Sequence, residues 1–308
     1  MTSSAPVIEV TVFGLSAGAV FGLLALGLVL IYRTTGVLNF AHWAIGLLSM
    51  VGYALLAKTG MPPALAAVLS LGVAVFFGAL AYRLVFRRLN RANQLIVILV
   101  SIGLATLLSS LAQMILGFEA FTAIPPWLPV DDLRIGRVNV RSTEIFTAVT
   151  AIVVAFGFLV WFRASRTGRA LRAVAQNREA AALAGIDEVR HSTIAWGIGS
   201  ALAGLALLMV LPHSGGEQGA VITTFDLTPF GTLLIPAFGA ALVGGLVNLP
   251  MALAGGFMFG LARELLVLAP KPWSDMRASI AAVLIVVLLL LRTERFFATR
   301  QELEALEL

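Results

Sequence analysis

The sequence of 308 residues contains no cysteine, three histidines and only two lysines. Without cysteine the chain can form no disulfide, thiolate zinc site, iron–sulfur cluster or cysteine nucleophile. Charged residues make up 12% of the chain, about half of the roughly 25% that is usual in soluble domains. Hydrophobic residues reach 59% and the mean hydropathy is +0.97, so the sequence predicts an integral membrane protein.

Acidic residues are missing from the interiors of the apolar segments, where an ion-coupled carrier usually has a titrating carboxylate. This absence disfavours an ion-coupled secondary transporter of a small solute, which remains the alternative function. Ser200 with His213 as its base could form a hydrolase pair, but a small-residue helix contact is the favoured interpretation of Ser200. The net charge of +5 is dispersed between apolar runs, which disfavours nucleic-acid binding.

Apolar windows without charge are long enough for several membrane crossings, since a bilayer core of about 30 Å takes about 20 helical residues. The longest window, 227–262, would form a helix of about 54 Å, so we expect Asn248-Leu249-Pro250 to divide it. The prediction is an all-α polytopic membrane protein with about nine (eight to ten) transmembrane helices. Residues 1–308 are expected to form a single transmembrane domain, with a polar loop over 163–191.

Basic residues are unevenly distributed between the two sides that nine spans define. Fourteen of the 21 lie on one side, most of them in 83–91, in 163–191 and after residue 291. Because cytoplasmic loops are enriched in Lys and Arg, we expect loop 163–191 and the C-terminus in the cytoplasm and the N-terminus in the periplasm. Segment 263–277, with three basic residues, is the exception on the periplasmic side.

A polar segment interrupts the apolar sequence between the first two spans. We expect Gly36 to end the first helix and Asn39 to be the N-cap of the second. A polar helix start at membrane depth is tolerated only where it lines a cavity or is buried in protein, whereas an ordinary cytoplasmic turn needs neither. Both interpretations are open from the residues alone, and Asn39 and His42 are the candidates for a translocation pathway or gate.

Loop 163–191 contains an alanine-rich stretch that predicts a short helix between Gly168 and Gly185. Three polar residues at helical spacing would share one face of this helix: Arg169, Arg172 and Gln176. A basic amphipathic helix could lie on anionic lipid. The small alanines at 180–182 suit a groove on a protein better, so we favour docking to a partner.

Glycine recurs at the spacing of close helix contacts. One ridge lies on the first span: Gly14, Gly18 and Gly22. A second set is expected to pack the seventh and eighth spans: Gly239, Gly244, Gly245, Gly255, Gly256 and Gly260.

Three motifs, in order along nearly the whole chain, resemble those of branched-chain amino-acid ABC transporter permeases of the LivH type. The first is Asn39-Phe-Ala-His42. The second extends from Ser165-Arg-Thr-Gly168 through Arg172 to Gly185-Ile186. The third is Ala240-Ala-Leu-Val-Gly244-Gly245, followed by Gly255-Gly256.

The resemblance implies the permease subunit of an ATP-driven importer for branched-chain or other small hydrophobic amino acids in a bacterial inner membrane. It implies two ABC ATPase subunits, a second permease subunit (LivM type or an identical copy) and a periplasmic solute-binding protein as partners. ATP and Mg²⁺ would be bound by the ATPase, so this chain is expected to have no catalytic residue, cofactor or metal. The resemblance makes 163–191 the coupling loop, with these contact positions: Gly168, Arg169, Arg172, Ala181 and Gly185.

The sequence departs from the family's pattern after the first motif. Trp43 stands where the family commonly has glycine, and Ala44 where many members have an acid. A bulky Trp43 would narrow or reshape a pathway, so it joins Asn39 and His42 as a candidate pathway or gate residue. The substrate is open among leucine, isoleucine, valine and the amides, urea or aromatic acids that related permeases carry.

Overall fold

A computed structural model describes residues 5–89, 92–116, 127, 132–135, 138–210 and 233–291. Its α-helices are, in chain order, α1 (Ala5–Thr35), α2 (His42–Ala57), α3 (Pro63–Leu84), α4 (Gln94–Leu116), α5 (Ser142–Ala164), α6 (Arg166–Gln176), α7 (Arg178–Leu183), α8 (Glu188–Val210), α9 (Ile235–Val243), α10 (Leu249–Leu265) and α11 (Ile280–Leu291). Short 3-10 helices cover Phe86–Leu89, Leu266–Leu268 and Trp273–Ala278. Two short strands, β1 (Asp132–Ile135) and β2 (Val138–Arg141), pair antiparallel in a hairpin before α5, and the described fold is otherwise helical, as the sequence predicts.

Six helices in the described part of the chain are long and apolar enough to cross a membrane: α1, α3, α4, α5, α8 and α10. Helices α2 and α11 are apolar but shorter, and α9 has nine residues. At about 1.5 Å per residue, the 16 residues of α2 span about 24 Å, less than a bilayer core. Within the described residues a helix therefore occupies each of the nine predicted places, and six of these helices reach the length of a full crossing.

Helix α1 is the centre of the fold. Its apolar window is 89% buried, and it contacts α5, α8, α9 and α10. The corresponding windows of α3, α4 and α5 are only 28–33% buried, with outward side chains such as Val68, Met114 and Phe156. Outward apolar faces of this kind are stable against lipid or another membrane chain, which are as apolar as the side chains themselves.

The contact between α1 and α10 depends on glycine in both helices. Gly14, Gly18 and Gly22 face α10, and a Cβ added to Gly18 would lie 2.7 Å from the Cα of Phe257. Carbon atoms in van der Waals contact lie about 3.5–4.0 Å apart, so only glycine permits this approach. The glycine ridge of the first span therefore packs on α10, where Gly256 and Gly260 lie against the α1 backbone.

Two further glycines join α9 to α10. A Cβ added to Gly255 would lie 2.8 Å from the Ala240 carbonyl oxygen, and Gly239 makes room for the ring of Phe259. The glycines expected to pack the seventh and eighth spans therefore do not all contact the same helix. Gly255 faces α9, whereas Gly256, the next residue, faces α1.

The break between α9 and α10 lies where the sequence predicts it. Gly244 follows the end of α9, and Gly245 takes the left-handed conformation with φ of +62°. Asn248 then caps α10, since its side-chain oxygen accepts the N–H of Met251 at 3.2 Å. Pro250 lies in the first turn of α10, where a missing N–H costs no helical hydrogen bond.

Candidate translocation and coupling sites

The connection between α1 and α2 is a turn that is largely enclosed by protein. Gly36 follows α1 with φ of +69° and donates its N–H to the Tyr32 carbonyl at 2.7 Å, so α1 ends where expected. The prediction of Asn39 as the N-cap of α2 is wrong, because Ala41 occupies that position and makes no side-chain cap bond. Asn39 is buried and its Oδ1 instead accepts the N–H of Ala41 at 3.0 Å, which is an Asx turn.

His42 begins α2 and lies at a contact between three helices. A Cβ added to Gly27 of α1 would lie 2.6 Å from the imidazole Nε2 and 2.7 Å from the Gly199 carbonyl oxygen of α8. The Leu24 carbonyl lies near the ring, but neither ring nitrogen has a hydrogen bond of normal geometry within the described part of the chain. Packing against glycine, rather than hydrogen bonding, therefore positions this side chain.

Buried nitrogens without a partner are concentrated between Asn39 and Trp43. Among the described residues, four such atoms lie here: Asn39 Nδ2, His42 Nδ1, His42 Nε2 and Trp43 Nε1. Buried polar groups are nearly always paired in native structures, so this concentration marks the segment as chemically unusual. Since Asn39 and His42 are fully buried and Trp43 is 7% exposed, the segment is not an ordinary exposed turn.

Two serines on neighbouring helices are also buried in glycine contacts. Ser49 of α2 faces Gly204 of α8, and Ser200 of α8 faces Gly78 of α3. Sequence reasoning missed Ser49, because a lone serine in an apolar helix carries no signal. The Ser200 contact is the small-residue packing that the sequence favours, and His213 lies outside the described residues.

Loop 163–191 folds as two short helices, so the prediction of one helix is wrong. Helices α6 and α7 meet at Asn177, whose Oδ1 caps α7 by accepting the N–H of Ala180 at 2.9 Å. Asparagine competes for backbone groups in this way and interrupts helices. Gly168 lies inside the first turn of α6, whereas Gly185, with φ of +79°, follows α7 as a helix-ending glycine does.

Helix α6 is attached to the end of α5 by hydrogen bonds from arginine. Arg172 donates to the carbonyls of Phe162 and Arg163, and Arg169 Nη1 donates to the Ala164 carbonyl at 2.9 Å. The last carbonyls of a helix lack helical partners and carry partial negative charge, which guanidinium groups satisfy. The two arginines predicted to face a partner therefore bind the protein's own helix end.

Phe162 connects the loop 163–191 to the central helix α1. The guanidinium carbons of Arg33 and Arg172 lie 5.7 and 5.5 Å from the centre of its ring. The Ser165 Oγ accepts the N–H of Gly168 at 2.9 Å, and a Cβ on Gly168 would overlap the Phe162 carbonyl. Helices α1, α5 and α6 thus meet at one aromatic ring.

Helix α7 presents small and apolar residues outward. Leu183 is 91% exposed, and Ala180 and Ala182 are exposed beside it. Ala181, expected at the docking surface, is 4% exposed and packs inward. An exposed leucine among small residues is typical of the apolar anchor with which a helix binds in a groove of another protein. Sequence reasoning missed Leu183, although its place just before the helix-ending Gly185 is visible in the sequence.

These features define a polytopic helical membrane protein with one buried central helix and an extramembrane two-helix loop attached to it. A family model described as "Branched-chain amino acid transport system / permease component" matches residues 10–294. The chain therefore belongs to the branched-chain amino acid transport system permease component family, and the resemblance to LivH-type permeases is confirmed.

Individual relatives agree with this family over most of their length. The chain is 28% identical over 305 residues to the high-affinity branched-chain amino acid transport system permease protein BraD of Pseudomonas aeruginosa, covering 94% of this chain and 95% of BraD. It is 29% identical over 272 residues to the corresponding protein LivH of Salmonella typhimurium, covering 82% and 83%. A solved structure, PsaBC from Streptococcus pneumoniae in complex with Fab, matches with a TM-score of 0.48 and 11% identity over 90% of each chain.

Proposed function

We propose that the chain is the inner-membrane permease subunit of an ATP-driven importer for branched-chain or other small hydrophobic amino acids. The observation that carries the proposal is the family match over residues 10–294. The proposed assembly has two ABC ATPase subunits, a second permease subunit and a solute-binding protein, with ATP and Mg²⁺ bound by the ATPases. Nine helices, including the short ones, would embed in the bilayer with the N-terminus in the periplasm and the C-terminus in the cytoplasm.

In this proposal, α6 and α7 form the contact that couples the ATPase to the membrane helices. Leu183 and its small neighbours would enter a groove on the ATPase. Arg169 and Arg172 hold α6 on the end of α5, and Phe162 connects that joint to α1. A displacement of α7 by the ATPase would therefore reach α1, which contacts five other membrane helices, namely α2, α5, α8, α9 and α10.

We further propose that Asn39, His42 and Trp43 belong to the gate of the translocation pathway. All three carry buried nitrogens without a partner among the described residues, and the His42 ring lies where α2 meets α1 and α8. Separation of α2 from these helices would expose several hydrogen-bonding groups at once to water or solute. A polar cluster at this depth is otherwise costly, because an unpaired buried polar group loses its hydration without compensation.

The proposed function is tested by uptake of radiolabelled leucine into proteoliposomes that contain the complete transporter and its binding protein. We expect uptake to require ATP on the ATPase side and to persist when an uncoupler dissipates the proton gradient. Uptake by this chain alone, without ATP and abolished by the uncoupler, would instead establish the ion-coupled secondary transporter.

Trp43→Phe is expected to change the rate or the leucine-to-valine preference of uptake by about five- to tenfold. This substitution keeps an aromatic ring but removes the indole N–H, and one hydrogen bond to a solute is worth about 1 kcal/mol. Trp273→Phe is the matched control, since Trp273 is exposed on a 3-10 helix. If uptake kinetics of the two variants are the same, Trp43 has a packing role only.

A further inference from the structure

An apolar groove with a volume of about 400 Å³ is lined by residues of α3, α5 and α8. Helices α3 and α8 pack against each other, whereas α5 packs on α1 and contributes Val154 to the groove. The residues that line the groove belong neither to the segment Asn39–Trp43 nor to α6 and α7. The groove is therefore separate from both the proposed gate and the proposed coupling contact.

Helix α8 is exposed along this groove and buried on its other faces. Between Ser192 and Met209, four residues are partly exposed, and all four line the groove: Ile194, Ile198, Ala201 and Leu205. Their spacing of three or four residues places them in one row along the helix. Gly197 lines the groove beside this row, and the small side chains at 197 and 201 leave space between the bulkier ones.

The length and lining of the groove suit one acyl chain of a lipid. From Thr193 to Leu205, α8 rises about 18 Å, whereas one leaflet contributes about half of a hydrocarbon core of about 30 Å. A transmembrane helix of a partner protein needs the whole 30 Å and would extend well beyond the groove. Ten of the eleven lining residues are apolar, and the polar one, Thr193, lies at one end.

The Thr193 end of the groove lies beside exposed arginines. Arg83 of α3 donates its Nε–H to the Thr193 Oγ1 at 3.4 Å. Arg190 is three residues before Thr193 on α8, so it lies about one turn away on the same side of the helix. Because α8 follows α7 directly, these arginines lie on the same side of the protein as the coupling helices.

Two further arginines lie on the 3-10 helix Phe86–Leu89, which follows α3. The ring of Phe86 is buried, with its centre 4.6 Å from that of Trp196 in α8, so this short helix packs against α8. All four arginines of this end are exposed, and we call them the basic cluster: Arg83, Arg87, Arg88 and Arg190.

The charges of the basic cluster are not neutralised within the described part of the chain, where none of the four arginines forms an ion pair. The acidic residues at the start of α8 have other contacts. Glu188 pairs with Arg178 at 3.6 Å, and the Asp187 Oδ1 accepts the backbone N–H of Arg190 at 3.0 Å. The cluster can therefore bind an anion at the end of an apolar groove.

We propose that this groove binds an anionic phospholipid from the leaflet on the side of the coupling helices. The phosphate would bind Arg83 and its neighbours in the basic cluster, and one acyl chain would lie along the row from Ile194 to Leu205. Guanidinium groups bind phosphate through paired hydrogen bonds, and basic pockets between membrane helices bind anionic lipid headgroups. This inference goes beyond the proposed function, since it concerns a lipid rather than the transported solute.

Native mass spectrometry of the purified, delipidated chain of 308 residues tests the proposal. The chain is titrated with phosphatidylglycerol, which is anionic, and with phosphatidylcholine of the same acyl chains, which is zwitterionic. We expect the first phosphatidylglycerol to bind at least about tenfold more tightly, because each arginine near an anionic headgroup contributes to its affinity. Equal affinity for the two lipids would overturn the proposal.

Arg83→Gln is expected to lower the affinity for phosphatidylglycerol about fivefold and to leave that for phosphatidylcholine unchanged. The fivefold loss corresponds to about 1 kcal/mol for one basic residue beside an anionic lipid. Arg166→Gln is the matched control, since Arg166 is exposed on α6, on the same side of the protein but outside the basic cluster. The same phosphatidylglycerol affinity in both variants would contradict the headgroup site.

Ala201→Leu fills the groove without changing a charge and is expected to lower phosphatidylglycerol affinity about fivefold or more. Ala282→Leu is its control, because Ala282 is exposed on α11 and does not line the groove. If Arg83→Gln weakens binding but Ala201→Leu does not, the arginines bind an anion without the groove, and the lipid site is wrong.

The same titration of the assembled transporter distinguishes a lipid from a protein in the groove. We expect the assembled transporter to retain the lipid site and its sensitivity to Ala201→Leu. Phosphatidylglycerol binding by the chain alone that disappears on assembly would assign the groove to a neighbouring subunit. Because lipid binding by the chain requires neither ATP nor solute, failure of the proposed transport function would not alter its outcome.

Discussion

Leu183→Asp is expected to reduce ATP-driven uptake to background while the permease still inserts into the membrane at normal levels. Leu183 is 91% exposed, so its substitution disturbs little inside the chain. In the proposed ATPase groove the change would lose about 1.5–3 kcal/mol of apolar burial and would desolvate a carboxylate. A loss of about 2 kcal/mol lowers the affinity for the ATPase roughly thirtyfold.

Two measurements check this expectation: leucine uptake into proteoliposomes, and the affinity of the permease for the purified ATPase. Leu183→Met keeps an apolar side chain of similar volume and should retain both. Thr59→Asp introduces the same charge at an exposed position at the far end of α2 and should also be neutral. Normal uptake and normal ATPase affinity in Leu183→Asp would show that α7 is not part of the coupling contact.

Arg172→Glu, at a contact position that the family resemblance implies, is a less selective test of coupling. Arg172 donates to the Phe162 and Arg163 carbonyls, so a glutamate there leaves two helix-end carbonyls unpaired and adds a like charge beside them. Uptake would be lost in this variant through disruption of the contact between α5 and α6 as well as through loss of ATPase docking. The uptake measurement therefore does not distinguish these two causes.

Gly256→Ala is expected to lower the thermal stability of the folded permease by about 2–12 °C. The new Cβ would overlap the Gly22 backbone and lie 2.8 Å from the Gly18 carbonyl oxygen, so α1 and α10 would have to separate. Overpacking of this kind costs about 1–3 kcal/mol, and each kcal/mol shifts the melting temperature by a few degrees in a chain of this size. Because α1 is the central helix, we expect aggregation after detergent extraction as well.

Melting temperatures from fluorescence-detected size exclusion are the direct readout. Gly103→Ala and Gly157→Ala are the controls, since both glycines lie on exposed faces of long helices and an added Cβ would meet nothing within 4 Å. Their melting temperatures should stay the same or rise slightly, because alanine favours helix more than glycine does. A Gly256→Ala protein that melts with these controls would show that α1 and α10 can accommodate a wider spacing.

Local features of the fold were predictable from the sequence because lipid allows the backbone few alternatives. A chain in the bilayer core must satisfy its hydrogen bonds internally, so long apolar windows become helices. The end of α1 at Gly36 and the break before Pro250 follow from backbone geometry within a few residues. The length of α2 did not follow, since its 16 residues are fewer than its apolar window suggested.

The candidate sites were predictable only as places along the chain. Asn39, His42 and Trp43 stood out as polar residues between apolar segments, but the enclosure of the His42 ring depends on its contact with Gly27, which is distant in sequence and itself packs against Gly199. The outward position of Leu183 and the inward position of Ala181 depend on where Asn177 interrupts the loop. Residue type alone does not distinguish these two orientations.

The sequence by itself determined the class of protein, the places of its helices, their main breaks and the family to which the chain belongs, since composition, periodicity and motifs are local properties. Only the tertiary structure decided which helix is central. The apolar windows of α1 and α4 have nearly equal mean hydropathy, 2.3 and 2.5, yet they are 89% and 28% buried. Because lipid is as apolar as a protein core, hydropathy does not distinguish a helix buried in the protein from one that faces lipid. The glycine contacts between helices make that distinction.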